Sequence, residues 1–179
     1  RKLGLKLTVL SYKKLFRASM DEVMVLRDEK KLSNKSCSFC GVFRKQALNA
    51  GARKLHADKL AIGHNADDLA QTFLMNFLRN EPNRLKKFGA STGESENEDF
   101  IQRIKPLMYN LEVECAYYCI LNEIPFYLGG CPYANESFRG DVKDFLNTLE
   151  DKHPGMKFNL VRSSIDLRKE VLSKPAYFP

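Results

Sequence analysis

The sequence predicts an α/β fold: a parallel sheet flanked by helices, with a helical C-terminal part. Three features carry that expectation. A short apolar strand, "KLAIG", runs through a tight turn into a helix near the middle of the chain, which is half of a βαβ unit. A second β-branched, apolar stretch, "LKLTVLSY", stands near the start. The last third repeats its apolar residues at helical spacing. The 179 residues, 44% of them apolar, suit one α/β domain over residues 1–179 with a core of its own.

The elements follow in order. Leu5–Leu10 reads as a strand, expected to lie beside the strand Lys59–Gly63 in the sheet core. "MDEVMVLRDEKK" reads as a short helix. Gly41 to His56 lacks proline and carries Leu48, Ala52 and Leu55 at helical spacing, so a helix is expected there. After Lys59–Gly63 a helix begins at Ala66, with Asn65 as N-cap and Ala70, Phe73, Leu74, Phe77 and Leu78 as its apolar stripe. "GASTGESENED" (89–99) is polar, acidic and glycine-bearing, and reads as a loop. "IQRIKPLMY" is strand-like up to Pro106. Leu111 to Ile124 reads as a helix, and "PFYLGG" as another short strand. Phe138, Val142, Phe145, Leu146 and Leu149 form an amphipathic stripe that His153-Pro154-Gly155 stops. "KFNLVRSSIDLRKEVL" supplies one more helix.

No apolar run approaches the roughly 20 residues of a membrane span, and the first residues lack a cleavable apolar stretch. Lys and Arg number 29 against 22 Asp and Glu, a net charge of +7. Such a balance fits a soluble basic surface or an anionic partner such as nucleic acid. The five cysteines are odd in number and include two close pairs, which argues against a secreted disulfide framework and for reduced thiols inside a cell.

Cys37 and Cys40, in "CSFCGVFRKQAL", can share a metal or form a disulfide. A helix start favours thiolate there, through free N–H groups and the helix dipole. Cys131 follows "LGG" and precedes a proline, in a turn where a thiol can be exposed. Three thiolates from two turns could hold an iron–sulfur cluster with one open iron, or a catalytic zinc. Cys115 and Cys119 read instead as small apolar residues of a helix.

"GHNADD" (63–68) ends a strand and opens a helix, where open α/β sheets bind ligands and helix N-termini attract phosphate. Gly63 would allow close approach, His64 and Asn65 could contact a nucleotide, and Asp68 could hold Mg²⁺ or transfer a proton. A purely structural role stands beside this: Asn65 caps the helix, and Asp67 and Asp68 complement its dipole. His56 and His153 read as surface residues.

Taken together, "CSFCGVFRKQAL", "GHNADDLAQTFLMNFLR", "KPL" and "CPYANESFRG" resemble the tRNA 2-thiouridine synthetases. The nearer resemblance is to the archaeal and eukaryotic cytosolic thiouridylase catalytic subunit, over about Leu3 to Ser164. The resemblance implies the adenine nucleotide α-hydrolase-like fold, a cytoplasmic location, and ATP-dependent replacement of a wobble-uridine oxygen by sulfur. It implies ATP and Mg²⁺ as cofactors, and a 4Fe–4S cluster held by Cys37, Cys40 and Cys131. It places Asp68 and Arg44, with Cys40 and Cys131, in the catalytic set and Gly63, His64 and Asn65 on the nucleotide side. As partners it implies tRNA, a ubiquitin-like sulfur carrier protein and, in eukaryotes, a second thiouridylase subunit; homodimerisation stays open. tRNA is expected on Arg44, Lys45, Arg79, Arg84, Lys86 and Lys87. The family's ATP loop and its terminal zinc-binding cysteines have no counterpart in these residues, so the chain is expected to be a fragment, inactive alone. A non-catalytic tRNA- or partner-binding module with a structural metal is the alternative. A related ATPase, such as a tRNA-lysidine synthetase or an NAD synthetase, is a third reading that does not need the three cysteines.

Overall fold

Asn65 makes the turn from strand to helix abrupt. Its side chain accepts a hydrogen bond from the Asp68 N–H at 3.0 Å, and the Asp68 carboxylate accepts from the Asn65 N–H at 3.2 Å. This reciprocal box satisfies donors that a helix start otherwise leaves open. The computed structural model describes residues 4–92, 100–127 and 129–173. In chain order these form α1 (Tyr12–Phe16), α2 (Met20–Glu29), α3 (Ser36–Lys54), β1 (Lys59–Ala61), α4 (Ala66–Leu78), β2 (Ser91–Thr92), β3 (Gln102–Ile104), α5 (Glu112–Leu121), α6 (Phe138–Lys152) and α7 (Met156–Ser173). Short 3-10 turns span Pro82–Lys87 and Ala134–Glu136.

The described sheet has the order β1-β3-β2. β1 and β3 are parallel, with Lys59 opposite Gln102 and Ala61 opposite Ile104, and the Ile62 N–H extends the ladder to Ile104 O at 2.9 Å. α4 lies on the crossover between them, as a βαβ unit requires. β2 joins the other side of β3 antiparallel.

The core gathers Ala66, Leu69, Ala70 and Phe73 of α4 with Val142 and Leu146 of α6 and Val161 of α7. Leu85, Phe88 and Met108 close it. The α6 stripe read from sequence is thus the buried one at Val142 and Leu146, while Phe145 stays exposed. Between α6 and α7, Gly155 has φ +95°, a left-handed value that favours glycine.

Four sequence expectations need correction. Leu5–Leu10 is extended but is no strand: Leu5, Leu7 and Val9 are exposed, and β1 pairs with β3 instead. Leu10 leans on α3 at Gly51, where an added Cβ would come within 2.6 Å of Leu10 Cδ1. The segment thus docks on a helix, and an apolar alternation has no strand to pair with. Residues 125–127, 129 and 130 of "PFYLGG" form no strand either, and Leu128 lies outside the described residues. α3 begins at Ser36, five residues before the expected start, so both Cys37 and Cys40 lie inside it. The buried face of α4 is rotated toward Ala66 and Leu69, leaving Phe77 and Leu78 exposed, because α6 and α7 cover its first turns. Residues 93–99 of the acidic loop lie outside the described residues. Cys115 and Cys119 are half-buried on α5, and His56 and His153 are exposed.

Candidate functional site

A cleft of about 490 Å³ opens at the start of α4, lined by His64, Asp68, Thr72, Asn76, Arg84 and Lys105 with Leu69 and Phe88 at its base. The β1-to-α4 turn delivers His64 and Asp68, and the end of β3 delivers Lys105. Arg139, at the start of α6, donates to Gln71 Oε1 at 2.9 Å and Thr72 Oγ1 at 3.1 Å. These two bonds hold its guanidinium 3.8 Å from the Asp68 carboxylate. One carboxylate therefore faces several cations across a concave surface, which suits an anionic ligand and a bound cation.

Electrostatics describe the same grouping. Burial lowers the pKa of His64; Asp68 opposes this, and Arg44, Lys105 and Arg139 reinforce it, which favours the neutral imidazole. Lys105 is pushed down to about 8, first by burial and then by Arg168. Its Nζ donates to Gly89 O at 2.6 Å. Asp67, next to the cleft residue Asp68, points away: it is buried, paired with Lys157, and accepts from the Glu112 N–H at 2.6 Å, capping α5.

Cys37 and Cys40 lie in the first turns of α3, and Cys131 in the turn before Ala134–Glu136. Cys37 and Cys131 are exposed, Cys40 is half-buried, and all are free. Cys40 and Arg44 are four residues apart, on one face of α3. Tyr12 joins them: burial, then the neighbouring Cys40, raise its pKa, and Arg44 opposes that. Since Arg44 also acts on His64, one basic residue links the thiol end of α3 to the cleft. Cys131 belongs to a turn closed by Ala134 N–H to Cys131 O at 3.0 Å. Five residues on, Glu136 accepts from the Ser36 N–H at 2.9 Å, tying the Cys131 segment to the first turn of α3.

Among the described residues no three His, Cys, Asp or Glu side chains stand close enough to share one metal ion. A four-iron cluster is several ångströms across, so its ligands stand farther apart than those of a single ion. Three free thiols on two tethered segments suit such a group in donor chemistry.

Of the nucleotide-side expectations, Asn65 is engaged in the cap, and His64 faces the cleft. A Cβ on Gly63 would meet nothing within 4 Å, and its φ is not positive, so packing within the chain does not demand glycine there. Of the basic set, Arg84 lines the cleft and pairs with Glu81 at 3.1 Å. Lys45 lies over the Phe100 ring at 4.0 Å and Arg79 over Phe138 at 5.2 Å. The side chains of Lys86 and Lys87 lie outside the described residues. Reasoning from sequence gave no role to Lys105 or Arg139, although "KPL" and "CPYANESFRG" contain them. A lysine at a strand's carboxyl end, just before a proline, was the available signal for the first.

No family model matches the chain. It is 40% identical over 171 residues to the cytoplasmic tRNA 2-thiolation protein 1 of Caenorhabditis elegans, covering 94% of this chain and 44% of that protein. The protein of the same name from Drosophila melanogaster is 38% identical over 170 residues, covering 94% of this chain and 48% of that one. In the U34-tRNA thiolase NcsA from Methanococcus maripaludis, solved with its [4Fe-4S] cluster, the fold recurs with a TM-score of 0.67 and 37% identity, over 78% of this chain and 46% of that one. The chain thus spans about half the length of the relatives it matches. The chain is thus similar to tRNA 2-thiolation proteins in sequence over 94% of its own length, and to a U34-tRNA thiolase in fold over 78% of it.

Proposed function

We propose that the protein containing this chain thiolates uridine 34 of tRNA in the cytoplasm, using ATP. The observation that carries this reading is the 37% identity to the thiolase across a shared fold. The cleft supports it, since its cations surround a single carboxylate, Asp68.

In this reading the uridine C2 oxygen attacks the α-phosphorus of ATP and pyrophosphate leaves. A sulfur nucleophile then attacks C2, and AMP departs with the oxygen. Adenylation turns a poor leaving group into a good one. Asp68 holds Mg²⁺, and Arg44 offsets charge on the phosphate as it moves. Gly63, His64 and Asn65 border the nucleotide. Cys37, Cys40 and Cys131 hold the 4Fe–4S cluster, which when bound supplies a soft coordination position suited to sulfur. Cys40 and Cys131 thereby belong to the catalytic set. A ubiquitin-like sulfur carrier protein and, in a eukaryote, a second subunit are its partners.

The test is direct. The full-length protein, given ATP, Mg²⁺, sulfide and unmodified tRNA without oxygen, should form 2-thiouridine at position 34, read by mass spectrometry of the digested tRNA. Thiolation without any need for ATP, or no thiolation with cluster, tRNA and nucleotide all bound, would overturn the reading.

A further inference from the structure

α3 begins at an N-cap, Lys35, that makes no side-chain capping bond, and no acidic residue lies in its first turn. A helix start left so leaves its first N–H groups unsatisfied. The missing acceptor comes from 100 residues away, where Glu136 Oε2 accepts the Ser36 N–H at 2.9 Å. The same carboxylate receives both bonds of Arg27 Nη1, at 3.0 and 2.9 Å, from α2. Arg27 is mostly sheltered, its side chain 16% exposed, so this pair is better placed than an open surface bridge. A second tie runs from Tyr133 to Asp21 of α2. Between Cys131 and Glu136, then, one short segment is fastened to α2 twice and to α3 once. The α3 attachment is at the residue immediately before Cys37.

We propose that Glu136 is a positioning residue: resting on the reading that the three thiols serve one group, it fastens Cys131 beside Cys37 and Cys40 before any metal arrives. The sequence separation explains why a fastener is needed. Cys37 and Cys40 share one helix and keep their spacing unaided, whereas Cys131 stands on an irregular turn whose approach to α3 nothing local dictates. Glu136 couples the two, and Arg27 holds the carboxylate in place. A single carboxylate thus completes α3 and sets the approach of the third thiol.

The experiment uses the full-length, metal-free protein in a Cys115→Ser, Cys119→Ser background. A short thiol-to-thiol bridging reagent is added and bridged peptides are quantified by mass spectrometry. Glu136→Ala should slow bridging of Cys131 to Cys37 or Cys40 by roughly tenfold or more, the scale of losing hydrogen bonds to a charged group. Bridging between Cys37 and Cys40 should be unchanged, which a general loss of structure would not allow. Glu136→Gln retains an oxygen for the Ser36 N–H but loses the ion pair, and Arg27→Ala does the same from the other side. Both should fall between wild type and Glu136→Ala, and they carry the test if the alanine variant does not fold. Iron loading, read from visible absorption after anaerobic reconstitution, should fall in the same order while ATP binding holds. Wild-type bridging rates in all three variants would overturn the proposal. Failure of the underlying reading looks different: Cys131→Ser would then bind iron and sulfide as wild type does.

Discussion

Asp67 and Asp68 are neighbours with opposite fates. Asp68 faces the cleft and closes the box with Asn65; Asp67 is buried against Lys157 and the start of α5. Asp68→Asn keeps an oxygen for the Asn65 N–H, so it should leave urea unfolding within about 1 kcal/mol of wild type while abolishing thiolation. Asp67→Asn strands the buried Lys157 charge and should cost roughly 3 kcal/mol or more. Equal stability losses would contradict the assignment. Lys105 gives a pH handle. Its pKa lies near 8 rather than 10.5, so the unfolded chain holds more protons between those values. This group's contribution to stability therefore rises with pH across that window, while its positive charge in the cleft is lost above about 8. ATP binding by the full-length protein, followed by calorimetry, should weaken through pH 8. Lys105→Arg, which stays charged, should remove that step. Asn65, Asp67 and Asp68 were legible as a helix start from sequence alone. The sequence also singles out Asp68 as the cleft-facing carboxylate; what it does not show is the buried partner of Asp67, because Lys157 lies 90 residues away.

Local pattern served the helices well where their caps are local. α4, α6 and α7 follow from Asn65, from the 138–149 stripe and from the stop at His153-Pro154-Gly155. α3 starts five residues earlier than its sequence pattern indicates, and the acceptor at that start is Glu136, which no window on Cys37 contains. The same long-range device recurs, since Asp67 caps α5. Leu5–Leu10 departs from its sequence pattern for the converse reason: alternation shows that one face is apolar but not that a partner strand exists, and β1 takes β3. Within α6 the buried and exposed faces give a measurable contrast. Leu146→Ala should lower stability by roughly 2–5 kcal/mol, since the side chain is 1% exposed. Phe145→Ala, on the same helix but 54% exposed, should change it by about 0.5 kcal/mol or less. Similar losses in denaturant melts of both variants would refute the placement of this helix.

At the scale of the molecule, the net charge of +7 is compatible with tRNA but does not locate it. Arg84, Lys45 and Arg79 engage Glu81, Phe100 and Phe138, which fixes their heads near the surface. Reversing Lys86 and Lys87 to glutamate in the full-length protein should weaken tRNA binding and flatten its log-affinity against log-salt slope by about 2. Unchanged binding at low salt would remove this patch from the interface. No helix among the described residues is long and apolar enough to cross a membrane. The proposed cluster-binding set is a whole-molecule property as well: "CSFC" and "CPY" are legible as thiol segments, yet what ties the two segments together is the fold. The most direct measurement is the 2-thiouridine content of tRNA after anaerobic reaction with full-length wild type or Cys131→Ser. The account predicts product from the first and none from the second, with ATP binding equal in both. Wild-type levels of 2-thiouridine from Cys131→Ser would contradict it.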